Sequence, residues 1–252
     1  MKLKMMGLGL FLFLHFFVDQ SYAKDFQDII YGYFGNHKAI VRIPDRVGKL
    51  PVVIFNYDEM FDHLGFDMMN RKGFNIQAFI DVFASWGFIV IVPLDINTQM
   101  HAVRGAIRYA KNMRKANPYD IHLIGASEGA FVSLMALDSD HKVKTLTLIL
   151  PKLAHYTGYY SLPNLVRRIA GIDTRILMIM GSEEKPWRRK AQEALYDILK
   201  QSHQQVVRKD YEGDRKYFWS PYRRYMEHYY TFMTGQSMPI LEWKDDTDSY
   251  PY

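Results

Sequence analysis

Ile121-His122-Leu123-Ile124-Gly125-Ala126-Ser127-Glu128-Gly129-Ala130-Phe131 is the stretch that decides how this chain folds. An apolar run, Ile121 to Ile124, passes directly into Gly125-Ala126-Ser127-Glu128-Gly129, and a helical pattern follows from Ser127 to Leu137. The pattern G-x-S-x-G carries meaning only between a strand and a helix, which is where it stands here. A tight strand-to-helix turn holds the serine in a strained conformation. Small residues at Gly125 and Gly129 let neighbouring backbones pass closely. The alternative is a glycine-rich turn whose serine merely caps the helix.

Outward from this segment, strands and helices alternate. Pro51 to Phe55 and Phe88 to Val92 are continuous apolar runs rich in β-branched residues, as expected of strands buried on both faces. Val143 to Leu150, Ile176 to Met180 and Gln205 to Val207 supply further strands. Helical patterns cover Ile76 to Trp86, Met100 to Ala116, Lys190 to Leu199 and Pro221 to Met233, with Asn117-Pro118 ending the second. Before them, Asp28 to Phe34 and Lys38 to Pro44 flank Gly35-Asn36 and read as a hairpin. The expected fold is α/β: a mostly parallel sheet of about eight strands, helices on both faces, and an antiparallel N-terminal hairpin. Lys152 to Gly171 is less regular and reads as a small lid carrying Tyr156, Tyr159 and Tyr160. Residues 235–252 read as a loose tail, and no second domain is visible.

The first 23 residues read as a signal peptide. Lys2 and Lys4 precede an apolar run from Met5 to Val18, and Ser21-Tyr22-Ala23 offers small residues before a cut after Ala23. The run is about 14 residues, short of the ~20 that span a bilayer. An uncleaved anchor is the competing reading; cleavage leaves no stable membrane anchor and a secreted or periplasmic domain from residue 24. With no cysteine, disulfides, a thiol nucleophile and cysteine-ligated metals are excluded. A net charge of +5, with basic pairs scattered along helical sequence, does not point to nucleic acid. No H-E-x-x-H, G-x-G-x-x-G or P-loop pattern occurs, so no metal or organic cofactor is implied.

On the elbow Gly125 to Gly129, its Ser127-Glu128-Gly129 triplet and the strand–helix order around it, residues 51–232 resemble the α/β-hydrolase fold. The likeness is to its dienelactone-hydrolase-like and small esterase or peptidase branches. The resemblance implies a serine hydrolase acting on a carboxylic ester or related acyl substrate, with Ser127 as nucleophile. Amide N–H groups of Glu128 and of Tyr57 or Asp58 would hold the oxyanion. It implies an acid after the Ile176–Met180 strand, falling on Glu184, with Glu183 adjacent; the bland alternative is a helix cap.

Two features depart from the family pattern. Where a histidine is expected after the last strand, Tyr211-Glu212-Gly213-Asp214-Arg215-Lys216-Tyr217-Phe218 places Lys216. A lysine beside acidic residues stays protonated and cannot accept the serine proton. His63, His101 and His155 stand in loops that border the crevice in this fold, with His63 the foremost relocated base; each also reads as an ordinary surface histidine. His228 falls inside the last helix. The second departure follows the Pro51–Phe55 strand, where Tyr57-Asp58 replaces the family's usual His-Gly. A catalytically inactive binding protein on the same scaffold is therefore the alternative function. Its crevice would be rimmed by Tyr57, Tyr159, Tyr160, Tyr217 and Trp219 and would take a small ligand or a partner surface.

Overall fold

The computed structural model describes residues 26–32, 36–94, 99–153, 162–202, 205–213, 217–221 and 223–238. Eight strands form one sheet: β1 (Phe26–Gly32), β2 (Asn36–Arg42), β3 (Leu50–Asn56), β4 (Ile89–Pro93), β5 (Ala116–Ala126), β6 (Thr145–Ile149), β7 (Arg175–Gly181) and β8 (Val206–Tyr211). Their order is β1-β2-β4-β3-β5-β6-β7-β8. β1 and β2 pair antiparallel, β2 pairs antiparallel with β4, and every other pairing is parallel. The expected sheet and N-terminal hairpin are thus both present.

The interior parallel strands read as apolar runs because each feeds two cores; the edge strand β8 is largely exposed. Val52, Ile54, Ile89, Ile91, Leu123, Leu146 and Met178 pack into one. Val53, Phe55, Val90, Val92, Ile124, Leu177 and Ile179 pack into the other. Successive side chains leave a strand on opposite faces, so both faces need apolar cover. α4 (Gln99–Asn112), α5 (Glu128–Ala136), α6 (Leu162–Ile169) and α7 (Pro186–Ser202) contribute to the first core. α1 (Met60–Leu64), α2 (Phe66–Arg71), α3 (Ile76–Ser85) and α8 (Tyr225–Thr234) contribute to the second.

Three segments differ from the sequence expectation. β5 begins at Ala116, well before Ile121, and the register against β3 shifts between Leu50↔Ala116 and Val52↔Ile121. That irregularity lets Asn117-Pro118 sit in a strand, since a bulge tolerates a residue that cannot donate to the ladder. The segment after β3 holds two short helices, α1 and α2, where a loop was expected. Residues 162–169 form α6, whose Ile169 is buried and whose Arg168 donates to the carbonyls of Met135 (3.1 Å) and Leu137 (3.4 Å). Part of the expected lid is therefore a docked helix. Its tyrosines, Tyr156, Tyr159 and Tyr160, lie outside the described residues, as do the proposed signal peptide and residues 239–252 of the tail. Among the described residues, no helix is long and apolar enough to cross a membrane.

Candidate active site

Ser127 adopts φ 56°, ψ −118° between the end of β5 and the first residue of α5. A side chain with a Cβ pays about 1–3 kcal/mol to stay in such a sparsely populated region, so the surroundings must hold it there. They do so through backbone bonds: Ser127 N–H donates to Ile149 O (2.9 Å), and Lys152 N–H donates to Ser127 O (3.0 Å). The glycines on either side answer to close approach. A Cβ on Gly125 would lie 2.5 Å from Ala130 Cα and 2.6 Å from Ser133 Oγ. A Cβ on Gly129 would lie 2.8 Å from the Asn56 carbonyl carbon and nearer still to two carbonyl oxygens. Asn56, at the end of β3, locks the same junction by donating Nδ2–H to Gly129 O (3.1 Å).

The second strained residue follows from the same junction. Among the described residues, Leu150 (φ 43°) is the other non-glycine with positive φ. It turns the chain after β6 so that Pro151-Lys152 returns to the elbow. Gln192, fully buried on α7, fixes that turn by donating to Pro151 O (3.3 Å).

The expected oxyanion groups are neighbours. Asn56 pairs with Gly125 in the β3–β5 ladder, so Tyr57 and Asp58 continue alongside Ala126 and Ser127. Glu128 opens α5, and first-turn N–H groups have no partner within their own helix. Asp58 is fully buried, and its Oδ1 accepts from Met60 N–H (2.9 Å) at the start of α1. That bond ties the carboxylate to the α1 backbone. The Tyr57 hydroxyl donates to Asp62 Oδ1 (2.9 Å).

Among the described residues, the expected base is not joined to Ser127 and no histidine is bonded to the expected acid. Glu184 follows β7, at the correct end of the sheet, but its Oε2 pairs with Arg188 Nη1 at 3.5 Å. His63 is exposed on the last turn of α1. His101 lies half-buried in α4, and His228 on α8 meets the Tyr211 hydroxyl. Burial, followed by nearby Arg104 and His37, lowers the pKa of His101; burial, then Lys209, lowers that of His228. Among the described residues, no histidine is within hydrogen-bond distance of Ser127 Oγ. Lys216 and His155 lie outside those residues.

What Ser127 does contact was not foreseen. Its Oγ donates to Glu128 Oε2 at 2.8 Å, with Ser127 only 2% and Glu128 8% exposed. The other oxygen of that carboxylate, Oε1, forms an ion pair with Lys152 Nζ, which also reaches Glu59 Oε1 at 3.1 Å. A chain of four side chains thus runs from the serine to the start of α1. The adjacent glutamate in G-x-S-E-G was the one local sign of it; Lys152 and Glu59 come from separate loops and carried none.

The expected crevice rim needs correction at Trp219. It is buried against Phe55, Phe61, Phe74 and Phe79, with ring centroids 5.0–6.0 Å away, as part of the second core. Tyr57 is likewise buried, against Phe61 and Phe66. A cleft of about 700 Å³ does exist, lined by Lys111, Lys142, Lys144 and Arg175 among others, but it opens at the amino ends of β5 to β8. Ligand crevices in such sheets form at the carboxyl ends, where Ser127 stands. We therefore place the candidate site at the elbow.

No family model matches the chain, and no curated protein matches it. Solved structures do. An esterase from the archaeon Pyrobaculum calidifontis aligns with a TM-score of 0.56 at 15% identity, over 76% of this chain and 77% of that one. A dienelactone hydrolase-like protein from Klebsiella pneumoniae subsp. pneumoniae gives 0.58 at 15% identity, over 79% and 90%. The chain has the α/β-hydrolase fold. A thermostable carboxylesterase cloned from a metagenomic library shares it, with a TM-score of 0.53 at 15% identity over 84% and 87%. At these identities the likeness concerns the α/β-hydrolase fold itself, and the chemistry must be argued from the residues.

Proposed function

We propose that this protein is a serine hydrolase that cleaves a carboxylic ester or related acyl substrate through Ser127, and that it acts after export and cleavage behind Ala23. The observation that carries the catalytic part is the strained backbone of Ser127 at the β5–α5 junction (φ 56°, ψ −118°). Strain of this size persists where neighbouring structure enforces it, and it gathers at active sites. Ser127 Oγ would attack the acyl carbon, and the oxyanion would be held by the Glu128 N–H and by an N–H of Tyr57 or Asp58. Departure of the alcohol leaves an acyl-enzyme, which water then hydrolyses. The solved neighbours include proteins described as esterases, which supports the acyl class as a proposal.

A second reading has its own observation. Among the described residues, the Ser127 hydroxyl is bonded to Glu128 and to no histidine, as a scaffold retained for binding would allow. Turnover of p-nitrophenyl esters of graded acyl length separates the two. Hydrolysis by the mature protein that drops to the blank rate in Ser127→Ala supports the enzyme. Folded protein that turns over none of the series, at any pH from 5 to 9, favours the binding protein.

A further inference from the structure

Resting on the reading of Ser127 as nucleophile, we infer that the Glu128 carboxylate is the base that takes the Ser127 proton, and that Lys152 and Glu59 position it. The geometry is already that of a proton transfer: Oγ–H points at Oε2 across 2.8 Å, inside the range a general base requires. Among the described residues, no other side chain accepts from Oγ.

Why the carboxylate stays in place follows from its partners. Glu128 is nearly buried, where an isolated carboxylate is costly, and Lys152 supplies the compensating charge on Oε1. Lys152 is itself held by its backbone N–H on Ser127 O and by Glu59 on its far side. Lys152 occupies Oε1, which leaves Oε2 to accept from Ser127. The elbow, the turn after β6 and the start of α1 are thereby tied together across the nucleophile. Among the described residues, the charged groups in contact with Glu128 are Lys152 and, through it, Glu59; the Asp58 carboxylate is bonded to Met60 N–H.

The step balances without another reactant. As the Oγ–carbon bond forms, the Oγ–H bond breaks and its proton passes to Oε2. The resulting carboxylic acid returns that proton to the departing alkoxide as the ester C–O bond breaks. In deacylation water replaces the serine: its proton goes to Oε2, its oxygen to the acyl carbon, and the acid then reprotonates Ser127.

The test is the rate of labelling by a fluorophosphonate probe from pH 4 to 9, in the mature protein and in Glu128→Gln, Glu128→Asp, Lys152→Met and His63→Ala, with folding checked by circular dichroism. Glu128→Gln keeps the backbone N–H and the side-chain shape but cannot accept the proton. Its labelling is expected to slow by at least ~100-fold, the lower end of what a general base contributes. Glu128→Asp should keep part of the rate, and His63→Ala all of it. Lys152→Met removes the charge that favours the ionised carboxylate, so the acidic limb of the profile should move to higher pH. Labelling of Glu128→Gln at the parent rate overturns the inference while leaving Ser127 as nucleophile. An unlabelled parent protein, shown to be folded, overturns both.

Discussion

Replacing Ser127 by glycine and by alanine separates backbone strain from every other property of the residue. Both substitutions delete the hydroxyl, so both lose the 2.8 Å bond to Glu128 equally. They differ in that glycine tolerates φ 56°, ψ −118° without a steric penalty and alanine does not. The relief is about 1–3 kcal/mol. Against it stand about 0.5–1 kcal/mol of extra chain entropy for glycine. The lost methyl burial is worth about 0.8 kcal/mol more. Taking the middle of the strain range, Ser127→Gly should be more stable than Ser127→Ala by about 0.2–0.7 kcal/mol. For a chain of this size that is roughly 0.5–3 °C in melting temperature. Parallel urea and thermal melts of the two variants, under one set of conditions, measure it. Ser127→Ala more stable than Ser127→Gly by the full ~1.3–1.8 kcal/mol of the entropy and burial terms would refute the claim that the elbow is strained.

Other consequences follow from single contacts. Gly129→Ala would force a methyl group into the Asn56 and Tyr57 backbone, which cannot move without opening the β3–α5 junction. A loss of about 1–3 kcal/mol, read by urea denaturation, is expected from such overpacking, together with slower labelling of Ser127. Asn56→Ala removes the donor to the buried Gly129 carbonyl and should cost about 1–3 kcal/mol by the same assay. Midway along β5, the hydrogen bond from His122, then that from Lys144, outweighs burial and lowers the Asp120 pKa to about 2. Burial, the largest influence on His122, lowers its pKa in turn, so its neutral ring donates Nε2–H to Asp120 and accepts from Thr145. Both groups are depressed on folding, so both stabilise at neutral pH. The His122 contribution declines below about pH 6.5, and that of Asp120 between about pH 4 and 2. The stability gap between the parent and Asp120→Asn should therefore be full at pH 7 and shrink toward pH 2; a gap that does not vary with pH would contradict this linkage.

How much the sequence discloses depends on how local each signal is. The elbow is legible because its two glycines and its serine answer to one junction, and the strand and helix around it are long enough to show their periods. The interior strands β3, β4, β6 and β7 and the second half of β5 are legible for the same reason, since burial on both faces leaves no polar alternation to misread. α1 and α2 are five and six residues long, too short for a helical period to show. The start of β5 was hidden by Asn117-Pro118, whose local preference is to break structure and which the register shift accommodates. Trp219 seemed to rim a crevice because its segment follows the last strand, but four phenylalanines, from β3, α1, α3 and the turn between α2 and α3, claim the ring for the core. Glu128, Lys152 and Glu59 meet only in three dimensions. Lys152 is drawn to the elbow by a backbone bond to Ser127 that no spacing in the sequence encodes.

The central claim is that Ser127 is an activated nucleophile, and the most direct measurement is peptide mass spectrometry of the mature protein after exposure to a fluorophosphonate. One covalent adduct per chain, mapped to the peptide containing Ser127 and lost in Ser127→Ala, is the expected result. Folded protein that carries no adduct at any pH from 5 to 9, or an adduct that survives Ser127→Ala, would contradict it.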